Sequence, residues 1–238
     1  MTEIAIAYDV SSLEEALALD ERLGAGPELA KVGLELFTAA GPEAVKALAR
    51  RGRRVFLDLK LHDIPNTVRG AAAQAARLEA ELLTVHAMGG GEMMRAAVDG
   101  VADGGGGTGV IAVTVLTSIG ASNAPPGFAS PLSTGTVVPQ LLELAERSGA
   151  RGIVCGVPDL AGLKRAHPAP FYAVTPGIRP EGGAVNDQKR VATLAEAVRA
   201  GSSLAVLGRA VTAASDPRAA LQAARAERDA AAAALVRG

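Results

Sequence analysis

The amino-acid sequence predicts an α/β fold, a (β/α)8 barrel of the TIM type, with residues 1–238 forming a single domain. Short apolar, β-branched segments alternate with longer segments rich in Ala, Leu, Glu and Arg, a pattern typical of parallel strands covered by helices on both faces. The chain has eight such strand–helix units in 238 residues, close to the length of about 250 residues that is usual for this barrel. A doubly wound open sheet is the competing arrangement, but no G-x-G-x-x-G follows the first strand-like segment.

Several helices between the strands carry start signals. Ser12 with Glu15 forms a capping box before the first helical segment, and Pro42 introduces a later one. Asn66 or Thr67 is expected to cap the helix that follows the third strand. The predicted strands are residues 4–10, 29–33, 55–61, 82–86, 110–117, 152–155, 171–175 and 204–207.

Two long segments interrupt the regular alternation. Residues 118–139 and 176–190 are rich in Gly, Pro or charged residues, and loops of this length inside a compact domain are usually lids or disordered. Both follow predicted strands at their carboxyl ends, which is the face that carries the active site in such barrels. The Ala-rich residues 219–238 are predicted to form a helix that lies across the barrel.

Composition excludes several classes of partner. The formal net charge of -1 gives no indication of a nucleic-acid or anionic-membrane partner. The single cysteine, Cys155, excludes an internal disulfide and fits a reducing compartment. No segment approaches the roughly 18 uncharged apolar residues of a membrane span. We therefore expect a cytoplasmic protein with neither nucleic acid nor a membrane as partner.

The third predicted strand carries charges where apolar residues are expected. Asp58 and Lys60 are two residues apart, so their side chains point to the same side of the strand. Near the carboxyl end of a barrel strand, that side is the mouth of the barrel. Asp63 follows in a loop that Pro65 stiffens. A structural Asp–Lys ion pair is the simpler interpretation of one such pair alone.

Lysine usage favours a catalytic interpretation instead. The chain has 5 lysines against 19 arginines, so arginine is its routine basic residue. Lys31 and Lys60 nevertheless both fall in predicted strands, with Asp58 beside Lys60 and Asp9 at the end of the first strand. Burying each of these ions costs several kcal/mol, on the order of a large part of the stability of a domain. An ammonium can also donate a proton, which a guanidinium does not do in practice.

The same residues carry a resemblance to a known family. "DLKLHDIPNT" at 58–67 resembles the D-x-K-x-x-D signature of the orotidine 5'-phosphate decarboxylase family in its fuller form. A sister group of phosphosugar decarboxylases and synthases shares the short signature. Tyr8 stands where the family more often has leucine. Further similar segments follow in family order: "YDV" at 8–10, "KVGLELF" at 31–37, "LTS" at 116–118, "TPGIRP" at 175–180, "DQKR" at 187–190 and "LGRAVT" at 207–212.

The resemblance implies a reaction and roles for the charged residues. The reaction would be decarboxylation of orotidine 5'-phosphate to uridine 5'-phosphate, the last step of de novo synthesis of this nucleotide, with no metal and no other cofactor. Lys60 would stabilise the carbanion at C6 and donate a proton to it, and Asp58 would lie near the substrate carboxylate. Lys31 would keep Asp58 ionised and, with Asp9, contact the ribose. Asp63 completes the expected catalytic set.

Substrate contacts are expected around the whole barrel mouth. Barrels of this type often bind phosphate with the loops after strands seven and eight, where Arg179 and Arg209 lie. The resemblance gives Gln188 a role between phosphate and pyrimidine, and Thr117 with Ser118 a place at the uracil edge. The full expected set is Asp9, Lys31, Asp58, Asp63, Ile64, Thr67, Thr117, Ser118, Pro176, Arg179, Gln188, Gly208 and Arg209.

The resemblance also implies a homodimer with shared active sites, and the position of Asp63 fits this arrangement. Its three-residue spacing from Lys60 turns it away from the inward face, so an isologous dimer would bring Asp63 and Thr67 of one chain into the other's site. The alternative is that Asp63 caps a helix in its own chain. Two other functions also stay open: a metal-dependent phosphosugar decarboxylase or aldolase, and a catalytically idle barrel that binds nucleotides.

Overall fold

The structure is a computed structural model that describes residues 1–26, 28–120, 123–125, 132–167, 169–179 and 191–237. Its eight strands are parallel and form one closed barrel, in which each strand pairs with the next and β8 pairs with β1. The predicted (β/α)8 barrel is therefore confirmed. The strands are β1 (Glu3–Ala7), β2 (Leu29–Gly33), β3 (Val55–Leu61), β4 (Leu82–His86), β5 (Gly109–Val113), β6 (Gly152–Val154), β7 (Tyr172–Ile178) and β8 (Leu204–Leu207).

Helices alternate with these strands and surround the barrel. None of the helices in the described ranges is both long and apolar enough to cross a membrane. The helices are α1 (Leu13–Leu23), α2 (Leu34–Ala40), α3 (Pro42–Arg50), α4 (Pro65–Arg77), α5 (Gly90–Asp103), α6 (Thr134–Arg147), α7 (Val157–Ala166), α8 (Leu194–Arg199), α9 (Arg209–Thr212) and α10 (Pro217–Arg237).

Four strands have the predicted bounds, and the other four differ at their carboxyl ends. β1 ends at Ala7, β5 at Val113 and β6 at Val154, each earlier than predicted. β7 instead continues to Ile178, through Pro176 and Gly177. The β7–β8 register shifts between Thr175 and Ile178, and Gly177 has φ +81. An irregularity of this kind is where a sheet tolerates proline, which cannot donate to the ladder.

The helix starts were predicted with mixed success. The Ser12 hydroxyl accepts a hydrogen bond from the Glu15 N–H at 3.1 Å, but the Glu15 carboxylate accepts from the N–H of Ser11, not of Ser12. Pro42 begins α3 as expected.

The predicted cap of α4 is wrong. The helix begins at Pro65, with Ile64 as its N-cap and no side-chain capping bond, so Asn66 and Thr67 lie within the first turn. Proline suits this first position because its φ is already helical and the missing N–H would have no helical partner there.

The two long segments are only partly described. α6 begins at Thr134, so the last residues of the predicted loop 118–139 are helical, with Pro139 inside the helix. Residues 180–190 of the second segment lie outside the described residues, and its lid role stays a prediction. α10 packs against α8, α9 and α1. It therefore lies along the outside of the barrel, rather than across it as predicted.

The apolar core has two layers. Inward-facing residues of the strands fill the interior of the barrel, and Phe56 is the largest of those that are buried. Outward-facing residues such as Ile4, Ile6 and Leu57 pack against the helices. Because side chains alternate along each strand, the residues two positions beyond the inner layer face the barrel mouth.

A buried charged cluster joins α1 to the segment before β3. The Asp20 carboxylate accepts hydrogen bonds from Arg51 and Arg53, each at 2.5 Å, and from the Tyr8 hydroxyl at 2.8 Å. Burial alone would raise the pKa of Asp20, but the hydrogen bonds from Arg51, Tyr8 and Arg53 outweigh it and hold this pKa below its ordinary value. Tyr8, the departure from the family pattern, thus has a partner of its own.

We predict that Asp20→Asn lowers the free energy of unfolding by about 3 kcal/mol, because removing one member of a buried ion pair leaves the other charge uncompensated. Arg53, whose side chain is 6% exposed, would be that charge. Urea denaturation followed by circular dichroism measures the effect.

The matched control is Glu21→Gln, the same chemical change at the next, exposed residue, which should change stability little. The pKa of Asp20 is lowered in the folded state. Its ionised carboxylate therefore contributes its full stabilisation above the unfolded-state pKa, about 3.9, and loses it as the pH falls through the folded-state pKa. The difference in the free energy of unfolding between wild type and Asp20→Asn should therefore shrink as the pH is lowered. Equal stabilities of the two variants at neutral pH would contradict this assignment.

Candidate active site

A cavity of about 600 Å³ opens at the carboxyl ends of the strands. Its floor is apolar and includes Phe56, Val113, Val174 and Val206, the upper part of the barrel interior. Such a volume is in the range of small-molecule sites. Of the predicted site residues that the structure describes, nine line it: Asp9, Lys31, Asp58, Lys60, Thr117, Pro176, Arg179, Gly208 and Arg209.

Four of these side chains form an alternating row of charges. Lys31 Nζ lies 3.0 Å from Asp9 Oδ1 and 3.5 Å from Asp58 Oδ2. Lys60 Nζ lies 2.9 Å from the same Asp58 Oδ2. The β2–β3 register explains why Lys31 and Asp58 are close together. Gly33 pairs with Asp58, so Lys31 lies on the adjacent strand one inward-facing position below Asp58. The row expected from the sequence is therefore present within one chain.

Asp58 is the centre of this row. Its side chain is 12% exposed, against 31% for Lys60 and 57% for Asp9. Burial by itself would raise the pKa of Asp58, but Lys31, Lys60 and the hydrogen bonds from Lys60 and Thr84 outweigh it and lower this pKa. A buried carboxylate is thus kept ionised at the wall of the cavity.

Lys60 has an unusual backbone conformation. Its φ is +51, and the β3–β4 register shifts between Leu57 and Leu61. Its N–H donates to the Thr84 hydroxyl oxygen at 2.8 Å. The bulge aims Lys60 into the mouth of the barrel.

Two contributors to the site were missed by the sequence reasoning. A Cβ on Gly33 would lie 2.9 Å from Lys31 Nζ and 3.0 Å from Asp9 Oδ1, so any larger residue would require the ends of these two side chains to move. Thr84 donates to Asp58 Oδ1 at 2.9 Å. The available signals were a glycine two residues after the strand lysine and a single hydroxyl within the apolar fourth strand.

The side of the cavity formed by β7 and β8 carries the two predicted arginines. Arg179 donates from one terminal nitrogen to the Ile178 carbonyl at 2.9 Å, while its buried Nε has no partner among the residues that the structure describes. Arg209 is exposed and begins α9. Among the described residues, a Cβ on Gly208 would meet only Ala7, at 4.0 Å, so these residues leave the space beside its backbone open.

The remaining predicted residues are not in this cavity. Asp63, Ile64, Thr67 and Ser118 are all exposed and do not line it. The Asp63 carboxylate accepts a hydrogen bond from the Ile64 N–H at 2.6 Å. Because Ile64 precedes the first residue of α4, this bond does not make Asp63 a cap of the helix. Gln188 lies outside the described residues.

A histidine pair borders Lys60. The rings of His62 and His86 lie 5.4 Å apart. Burial, and then His62 and Lys60, lower the pKa of His86, so this ring is neutral at neutral pH and adds no cation beside Lys60. Among the described residues, no three His, Cys, Asp or Glu side chains are grouped so as to hold a metal ion.

The chain is similar to known proteins over most of its length. The model of the orotidine 5'-phosphate decarboxylase / HUMPS family matches residues 2–224. Orotidine 5'-phosphate decarboxylase of Anaeromyxobacter sp. (strain K) is 55% identical over 197 residues, which are 82% of this chain and 84% of that protein. The enzyme of the same name from Parasynechococcus marenigrum (strain WH8102) is 47% identical over 225 residues, covering 92% and 91%.

A solved structure extends the similarity to the fold. The crystal structure of orotidine 5'-phosphate decarboxylase from Lactobacillus acidophilus superposes with a TM-score of 0.84 at 37% identity, over 96% of this chain and 99% of that one. With the family match over nearly the whole chain, these relatives show that the chain belongs to the orotidine 5'-phosphate decarboxylase / HUMPS family.

Proposed function

We propose that this chain decarboxylates orotidine 5'-phosphate to uridine 5'-phosphate and CO2, using its own side chains and no metal or cofactor. The observation that carries the proposal is the placement of Lys31 and Lys60 on one oxygen of the buried Asp58 carboxylate, at 3.5 and 2.9 Å, in the wall of the cavity. The relatives named above bear the name of this activity.

In this reaction the bond from C6 to the carboxylate breaks and its electron pair stays on C6, in the plane of the ring, where the ring delocalises it poorly. The Lys60 ammonium stabilises that developing charge and then transfers a proton to C6. Asp58 lies beside the substrate carboxylate, and two like charges about 4 Å apart repel by about 4 kcal/mol at an effective dielectric near 20. Loss of CO2 relieves this repulsion.

Lys31 and Asp9 serve the ribose in this proposal. Lys31 also balances the charge of Asp58, because its ammonium is the second one near that carboxylate, after that of Lys60. Asp9 is more exposed than the other three charged side chains, so a ribose hydroxyl can approach it from the cavity.

The phosphate binds on the β7–β8 side. Arg179 supports this with a buried Nε that lacks a partner within the described part of the chain, a donor that an anion would satisfy. Gly208 supports it with space beside its backbone that the described residues leave open, and Arg209 can hold two phosphate oxygens at once. Gln188 bridges phosphate and pyrimidine in this proposal.

The uracil edge is read by residues after β5 and in β7. Thr117 and Pro176 support this by lining the cavity. Ser118 is exposed beside Thr117, and we propose that its hydroxyl and N–H meet the ring when substrate is bound.

We further propose a homodimer in which Asp63, Ile64 and Thr67 enter the partner's site. All three are exposed beside the barrel mouth and outside their own cavity. Exposed apolar side chains follow three neighbouring strands on this side: Leu34 at 56%, Ile64 at 66% and Met88 at 47%. Apolar exposure of this kind favours a protein interface.

The metal-dependent phosphosugar reaction of the sister group is the second candidate, because that group shares D-x-K-x-x-D. The names of the relatives favour the nucleotide reaction. The idle nucleotide-binding barrel is disfavoured by the complete Asp58–Lys60 pair. The cytoplasmic location expected from the single cysteine fits a biosynthetic enzyme of this kind.

We predict that Lys60→Ala lowers kcat for orotidine 5'-phosphate by about 1000-fold or more, because the proton donor is lost. Uridine 5'-phosphate should still bind, since its phosphate and ribose contacts are elsewhere. Turnover is measured by absorbance and product binding by calorimetry. Lys46→Ala, at an exposed lysine of α3, is the control and should match wild type. A Lys60→Ala protein that keeps more than a few per cent of wild-type kcat would remove Lys60 from the proton-donor role.

We predict that Arg209→Ala raises KM for orotidine 5'-phosphate by about 10- to 100-fold and lowers kcat/KM at least as much, because contacts to a charged phosphate are lost. The same variant should leave kcat/KM unchanged for orotidine, which has no phosphate. Arg199→Ala, an exposed arginine at the end of α8, is the control. An equal loss with both substrates would show that Arg209 does not act on the phosphate.

We predict that inactive Lys60→Ala and inactive Asp63→Ala proteins regain activity when their subunits exchange. One site of each hybrid dimer then holds both wild-type residues, which gives about one quarter of wild-type activity for statistical mixing of a two-fold dimer. Mixing Lys60→Ala with Asp58→Ala is the control, since both residues belong to the same barrel and no intact site forms. No regain despite exchange demonstrated by mass spectrometry would exclude the shared site.

A further inference from the structure

Thr84 lies in β4, whose other residues are apolar except for the terminal His86. Its side chain is completely buried, and it lies directly behind the charged row of the cavity wall. A buried hydroxyl costs free energy unless its hydrogen bonds are made. The bonds of Thr84 therefore indicate why a hydroxyl is there.

The direction of both bonds is fixed by chemistry. The Lys60 N–H can only donate, so at 2.8 Å the Thr84 oxygen accepts from it. An ionised carboxylate can only accept, so at 2.9 Å the Thr84 proton is given to Asp58 Oδ1. One side chain thus links the backbone of Lys60 to the side chain of Asp58.

The first of these bonds supports a strained backbone. Lys60 has φ +51, a conformation that costs a non-glycine residue about 1 kcal/mol or more. The irregular β3–β4 register between Leu57 and Leu61 diverts the Lys60 N–H from the regular ladder. The Thr84 hydroxyl replaces that ladder bond and holds the bulge that aims the Lys60 side chain.

The second bond fixes the carboxylate. Asp58 Oδ2 receives Lys60 at 2.9 Å and Lys31 at 3.5 Å, while Oδ1 receives Thr84. Each carboxylate oxygen thus accepts from a donor, so rotation of the carboxylate about the Cβ–Cγ bond would break at least one of these contacts. The orientation of Asp58 toward the cavity therefore depends on Thr84 as well as on the lysines.

We propose that Thr84 is a positioning residue of the reaction, whose hydroxyl sets the relative placement of the Asp58 carboxylate and the Lys60 ammonium. The inference rests on the proposed function, because the two groups it places are the proposed reacting charges. Thr84 does not line the cavity, so it acts through Asp58 and Lys60 and contributes little to the binding of substrate.

The test compares variants that keep or remove the hydroxyl. Thr84→Val keeps the shape without the hydroxyl, Thr84→Cys is a second variant with only a weak donor, and Thr84→Ser keeps the hydroxyl. Thr108→Val is the matched control: Thr108 is also buried and its hydroxyl also bonded, to the Ala80 carbonyl at 2.6 Å, but it precedes β5 at the opposite end of the barrel. Measured for each are kcat and KM for orotidine 5'-phosphate, the Kd for uridine 5'-phosphate, and the melting temperature.

Thr84→Val and Thr84→Cys should lower kcat by about 10- to 100-fold, the loss expected for hydrogen bonds to charged groups. The Kd for uridine 5'-phosphate should stay within about threefold of wild type, because the binding contacts are elsewhere. Thr84→Ser should keep kcat within about threefold, because it keeps both bonds. Thr108→Val should keep wild-type kcat even where its melting temperature falls.

Other outcomes overturn the proposal. A folded Thr84→Val protein with wild-type kcat, a Thr84→Ser protein as slow as Thr84→Val, or a loss confined to KM would each do so. If neither hydroxyl-free variant folds, Thr84 is a structural residue only, and the proposal is wrong. An inactive wild type would instead defeat the proposed function itself, which keeps the two failures distinct.

Discussion

The buried carboxylate of Asp58 is the constraint on which the rest of the site depends. One of its oxygens receives two ammonium groups and the other receives a hydroxyl. A charge this deeply buried is tolerated only when it is paired and hydrogen-bonded, so the neighbouring strands must supply its partners at fixed distances. The two lysines, the threonine and the backbone bulge are all arranged around this one group.

The closed barrel provides what this arrangement requires. Its strands bring inward-facing residues of β2, β3 and β4 together near the mouth, and the β2–β3 register brings Lys31 within reach of Asp58. The packed interior below supplies an apolar floor, where charges interact more strongly than in water. The buried Asp20 cluster, by contrast, joins α1 to the segment before β3. Asp20, Arg51 and Arg53 do not line the cavity. Charge is thus used for structure at one end and, as we propose, for chemistry at the other.

The sequence predicted the fold and the charged row because both depend on local periodicity. Alternation along a strand is enough to place Asp58 and Lys60 on one side, and the exact bounds of β2, β3, β4 and β8 followed from their apolar runs. Thr84 could not be found this way, because its role arises from the irregular pairing of β3 with β4. Gly33 was missed because its value lies in the side chain it lacks. The cap of α4 was placed too late because Pro65 already begins the helix.

The most direct measurement is the turnover of orotidine 5'-phosphate by the purified wild-type protein, followed by absorbance with and without a metal chelator. The account predicts release of uridine 5'-phosphate and CO2 at a rate that the chelator does not change. No turnover of this nucleotide, or a reaction on a phosphosugar that stops in chelator and resumes with a divalent metal, would contradict it.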